Sequence, residues 1–214
     1  MANIDAPFGF RPVGQLGSSI QNAGTTRYRI ADNQSGAIFQ GDPVYFGDGS
    51  TTDANSGTPA LGYIGACAAG NTAIAGVFNG CFITKHPTTG KPFWSNYYPG
   101  SINVASGEKI YAFVYDDPNR LYVVQSAGTL TSPGTDGSNI EMATYAAGST
   151  VNGQSNVEIN TAIVASGATG QFVIIGISED PDNSDTANDN ANWIVKINEG
   201  RFLKYTSTQA VPAA

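Results

Sequence analysis

Lys109-Ile110-Tyr111-Ala112-Phe113-Val114-Tyr115, then Asp116-Asp117-Pro118-Asn119, then Arg120-Leu121-Tyr122-Val123-Val124 is the stretch that decides the fold class. Both flanks are short, apolar and rich in β-branched and aromatic residues, which suit a pleated, half-buried surface. The polar residues between them include Pro and Asn, a composition that turns a chain. The segment predicts a β-hairpin. The same signal recurs outward at residues 28–30, 44–46, 172–177 and 193–197, each bounded by Gly, Pro, Asn or Asp. Residues 193–196 and 202–205, joined through Asn198-Glu199-Gly200, predict a second hairpin. No long stretch carries a 3.6-residue period. Residues 140–147, ending at Gly148, are the one short helix candidate.

Strands punctuated by turn signals at roughly ten-residue intervals predict an all-β protein with a β-barrel or sandwich core. Residues 1–20, with Pro7 and Pro12, read as an extended N-terminal arm. Residues 21–214 read as a β-rich domain, one body or two subdomains, with no linker to mark a boundary. Residues 47–59 and 178–192 read as long polar loops. Loops of that length usually bind something or move.

Composition narrows the function. Of 214 residues only 13% are charged, against about 25% in an ordinary globular protein. Charge is depleted at the cores of protein interfaces, so the balance leans towards an assembly component. The formal net charge is -7, and the ten Lys and Arg are scattered. Phosphate backbones demand clustered cations, so nucleic acid is not an expected partner. No segment approaches the roughly 20 apolar residues that span a bilayer, and a membrane is not expected either. The first residues lack the basic and apolar regions of a secretory signal, which points to synthesis in a cytoplasm.

Catalytic and metal chemistry find little support, and neither an enzyme nor a cofactor is expected. His86 is the sole histidine, it lies in a turn-like stretch, and no Gly-x-Ser-x-Gly elbow accompanies it. Asp116-Asp117 is the obvious carboxylate pair, yet neighbouring residues point in different directions and Pro118 follows. Turn formation is the simpler role for both. The acidic run from Glu179 to Asp189 offers oxygen ligands for a hard cation but fails the EF-hand pattern, so a solvated loop is the expectation. Cys67 and Cys81 lie in apolar surroundings and read as small buried hydrophobes, with a disulfide between neighbouring strands as the alternative.

Two groups of residues look built for contact instead. Phe93, Trp94, Tyr97 and Tyr98 cluster among Pro, Ser, Asn and Gly. They can pack under a loop, anchor a protein interface or stack on a sugar. Phe8, Phe10, Arg11 and Pro12 form the second group, on the arm.

Three short motifs resemble a known family. Ala2-Asn3-Ile4-Asp5-Ala6-Pro7-Phe8-Gly9-Phe10-Arg11-Pro12-Val13 is similar to the start of decoration (cement) proteins of tailed-bacteriophage heads. Gly41-Asp42-Pro43-Val44 and Asp116-Asp117-Pro118-Asn119-Arg120-Leu121-Tyr122-Val123-Val124-Gln125 share the resemblance. It implies a structural virion protein, β-rich and homotrimeric, binding the outer surface of the head where major capsid protein subunits meet. It implies no catalytic residues. An arm carrying Phe8, Phe10 and Pro12 would then bury them on a neighbouring subunit, and removing residues 1 to 14 would leave the core folded. The alternative from another class is a carbohydrate- or receptor-binding module of a virion or tail fibre, with the aromatic cluster as its site. A hydrolase running through His86 or Asp117 is a third.

Overall fold

The computed structural model describes residues 3–17, 24–30, 34–46, 62–71, 74–130, 137–164, 170–198 and 200. These residues form twelve strands and no helix. In chain order they are β1 (Arg11–Gln15), β2 (Thr26–Ile30), β3 (Pro43–Phe46), β4 (Tyr63–Ala66), β5 (Ile74–Ile83) and β6 (Phe93–Ser95). Then follow β7 (Ile110–Tyr115), β8 (Arg120–Gln125), β9 (Asn139–Met142), β10 (Ile159–Ile163), β11 (Phe172–Ile177) and β12 (Asn192–Ile197). The all-β reading holds. Residues 140–147, the helix candidate, instead supply most of β9: Ile140 and Met142 alternate with Asn139 and Glu141 and are fully buried, a period of two.

One sheet runs β1-β8-β12-β11-β9-β10, with every pairing antiparallel. The other runs β3-β4-β2-β7-β5-β6, and β3 also pairs with β5. That extra pairing closes β3, β4, β2, β7 and β5 into a five-stranded ring, in which β2 and β4 are the parallel pair. Closure leaves the ring no free edges, and β6 is appended to the far half of β5. The architecture is therefore a small barrel with a six-stranded sheet against its side.

Two cores follow from this layering. Tyr28, Val44, Ile64, Phe78, Ile83, Ile110, Ala112 and Val114 belong to the core associated with the barrel strands. The other core lies between the open sheet and the barrel wall, where Tyr122, Val124, Phe172, Ile174 and Val195 meet Cys67, Ile74 and Val77. Strand β5 serves both, because its alternate side chains face opposite ways. Gly76 sits where β5 passes under β7: a Cβ there would lie 2.2 Å from the Tyr115 carbonyl oxygen.

The expected hairpin at 109–124 does not form. Both strands exist, but β7 pairs with β2 and β5 while β8 pairs with β1 and β12. The polar turn between them is the crossing from barrel to open sheet, and its two carboxylates divide between the two. Asp116 accepts hydrogen bonds from Thr26 Oγ1 (2.9 Å) and the Tyr28 hydroxyl (2.7 Å) of β2. Asp117 accepts from Gln15 Nε2 of β1 (2.7 Å) and from the Asn119 N–H of its own turn (2.8 Å). Turn chemistry was legible here, and the destination of the strands was not. In the second expected hairpin, both edges of β12 are taken by β8 and β11. Residues 202–205 lie outside the described residues, as does the 47–59 loop.

The arm packs on its own chain. Phe10 is 1% exposed, stacked on Phe172 with ring centroids 4.5 Å apart and set edge-on to Tyr122. Residues 11–15 are strand β1 rather than free arm. Ahead of them, Gln125 accepts from the Ala6 N–H and donates to the Ile4 carbonyl, and Asn183 makes a matching pair of bonds with Ile4. The expectation that Phe10 needs a neighbour for burial is corrected: its own core has room for the ring. Residues 1 to 14 include Phe10 and most of β1, so removing them would strip a core side chain and an edge strand.

Candidate interaction surface

The residues singled out in the sequence separate once folded. Tyr98 is fully buried in the barrel-side core, its hydroxyl donating to the Gln34 carbonyl and accepting from the Ile102 N–H. Tyr97 is half-buried and stacks on Phe39 at 5.5 Å. Phe93 and Trp94 stand out from the short strand β6, 41% and 66% exposed. Phe8 and Pro12, on the arm itself, are half-buried, and the Arg11 guanidinium lies over the Phe8 ring at 4.4 Å.

Register explains what Trp94 joins. It sits opposite Phe82 of β5, Phe82 opposite Tyr111 of β7, Tyr111 opposite Arg29 of β2, and Arg29 opposite Tyr63 of β4. These five side chains form one cross-strand row on the outside of the barrel. The neighbouring row holds Arg27 opposite Phe113, and Phe113 opposite Gly80. Because Gly80 carries no side chain, the indole leans diagonally onto Phe113, with centroids 5.3 Å apart and planes at 17°. Its other close ring is Phe82 at 4.4 Å. Arg27 is exposed and stacks over Tyr111 at 4.5 Å. The result is a preformed patch of rings and a guanidinium, held by stacking before any partner arrives.

Phe82, Tyr111, Phe113 and Arg27 were not singled out from sequence. In β7, residues 111, 113 and 115 alternate with Ile110, Ala112 and Val114, and both sets are apolar enough to be core. Only barrel closure decides which set faces out.

The sites considered for chemistry are occupied by structure. His86 Nδ1 accepts the Thr88 N–H at 3.2 Å, and its ring meets Phe93 edge-on. In the acidic loop, Asp180 accepts from the Asp182 N–H and Asn192 Nδ2, Asp185 from the Ala187 N–H and Asn188 Nδ2, and Asp189 from the Thr129 N–H and hydroxyl. Those bonds hold the Asp185 and Asp189 carboxyls below their ordinary range. No three metal-ligating side chains converge among the described residues. Cys67 and Cys81 are free and buried in different cores, and burial pushes both thiols up to about 12.

Asp42 is the most perturbed carboxyl in the barrel wall. Fully buried, it is pushed up to about 6 by loss of solvent, against the Phe39 N–H (2.8 Å), Ser155 and the Tyr145 hydroxyl (3.1 Å), which favour the charged form. It ties the start of β3 to the 143–158 segment. Nearby, Gly41 accepts the Phe10 N–H at 2.9 Å, and a Cβ on Gly9 would lie 2.5 Å from that of Ser155. The three motifs that carry the family resemblance thus meet here: the arm crosses the 41–44 turn and pairs with the 120–125 strand.

No protein-family model, curated protein or solved structure matches the chain.

Proposed function

We propose that the protein is a structural decoration (cement) subunit, which binds the outer surface of a bacteriophage head and bridges major capsid protein subunits. The observation that carries this is the solvent-facing patch of Trp94 and Arg27 over Phe82, Tyr111 and Phe113. Trp, Tyr and Arg are the residues that concentrate binding energy at protein interfaces. Rings already stacked lose little further freedom on docking, so more of the buried area appears as affinity. The low charged fraction of the chain points the same way. So does the resemblance of its arm, its Gly-Asp-Pro-Val turn and its 116–125 segment to phage head proteins. Val13 on the edge strand β1 and Leu16 just after it, 45% and 49% exposed, offer a second apolar contact. Several modest contacts shared by a trimer would bind by effective concentration rather than by any single strong site.

Light scattering followed by co-sedimentation with undecorated heads tests the reading. A mass near three times 22.2 kDa, with pelleting that Trp94→Ala weakens at least tenfold, is the expected result. A folded protein that ignores heads at every concentration tried would overturn it.

A further inference from the structure

We infer that the cleft between the arm and β5 is a saccharide site, shaped for a short neutral oligosaccharide. The cleft has a volume of about 400 Å³, within the range of small-ligand pockets. Phe8, Arg11 and Tyr115 border it, and its polar wall is made of amides: Gln40, Asn79, Asn152 and Gln154. Among the described residues, no carboxylate or lysine lines it.

The amides are placed by irregular backbone. Strand β5 slips register against β7 between Phe78 and Gly80, which makes Asn79 the bulged residue. A bulge re-aims a side chain out of the pleat. On the far wall, Gly153 has φ +72, the left-handed region that favours glycine, and the Asn96 amide fills the space a Cβ would take, so the turn carrying Asn152 and Gln154 is built around glycine. Asn96 Nδ2 then donates to the Asn152 carbonyl and pins that turn against the barrel.

Most of these amide groups remain uncommitted. Asn79 Oδ1 accepts from Gln40 Nε2, and Asn152 Oδ1 accepts the Gln154 N–H. The Nδ2 groups of Asn79 and Asn152, Gln40 Oε1 and the whole Gln154 amide have no partner among the described residues. Paired amide donors and acceptors match vicinal hydroxyls, while aromatic ring faces suit the C–H faces of a sugar. A peptide could not add as a strand beside Phe78, because its N–H and carbonyl are already bonded to Asp42 and Gly41 and β7 pairs its other side. One cation is too few for a polyanion.

The inference is independent of head binding, which rests on Trp94. The test is calorimetric titration of the full-length protein with maltohexaose, cellohexaose and mannohexaose, beside a neutral-glycan array. At least one saccharide should bind. Asn79→Ala and Gln154→Ala should each weaken it about tenfold, the loss of one to two hydrogen bonds, while Trp94→Ala leaves it unchanged. Both amides are partly exposed, so a thermal melt should show each variant folded. Silence across all saccharides overturns the inference. So does binding that survives both amide substitutions.

Discussion

Phe10→Ala separates an arm that completes its own fold from one that waits for a neighbour. The ring is 1% exposed, stacks on Phe172 at 4.5 Å and meets Tyr122 at 6.4 Å. Truncating a buried Phe costs about 3–5 kcal/mol, the transfer energy plus the cavity left behind. The aromatic pair lies inside that figure rather than on top of it. A domain of this size stands only about 5–15 kcal/mol above its unfolded state, so at least about a fifth of the margin would go. The melting temperature should fall by about 6–20 °C, at about 2–4 °C per kcal/mol. Urea denaturation of the isolated protein, followed by far-UV circular dichroism, measures it directly, with the slope unchanged if the unfolding remains cooperative. Val13→Ala is the control: three residues away and 45% exposed, it should cost under about 0.5 kcal/mol. A Phe10→Ala protein as stable as the parent, yet defective in head binding, would refute the reasoning and return the arm to the neighbouring subunit.

Burial raises Asp42 from 3.8 to about 6 in the folded state, so the folded protein holds its proton more tightly than the unfolded chain. Stability from this group is therefore greatest at low pH and is lost as pH climbs from about 4 to about 6, by about 3 kcal/mol in all. Asp42→Asn should erase that slope, measured as the difference between the two pH–stability curves; parallel curves would sink the assignment. Gly80→Ala should destabilise the β5–β6 edge, because its φ is +139 and a Cβ would stand 2.9 Å from the Ser95 carbonyl. Thermal melts should show the loss, and an unchanged melting temperature would contradict the register given for β6. Ellman's reagent should find neither thiol in the native protein and two per chain in denaturant, since Cys67 and Cys81 are 2% and 1% exposed; rapid native reaction would mean at least one core is open.

How far the residues themselves reached is clearest at 109–124. Local chemistry determined that 110–115 and 120–125 are strands and that Asp116-Asp117-Pro118-Asn119 turns, because β-branched packing and Asx bonding act over a few residues. It also determined the all-β class and the sparse charge. It could not determine that the two strands enter different sheets, since an identical turn serves a hairpin or a crossing. Phe10 illustrates the same limit: an aromatic residue between Gly9 and Arg11 looks exposed until Phe172 and Tyr122, more than a hundred positions away, close around it. The aromatic patch depends on tertiary structure most of all. Trp94 and Phe93 were visible as a local cluster, but Phe82, Tyr111, Phe113 and Arg27 join Trp94 only through cross-strand register, while Phe93 pairs with Ile83 and meets His86 instead. Register and closure are set by which faces can be buried together over the whole chain, and no window of sequence contains that comparison.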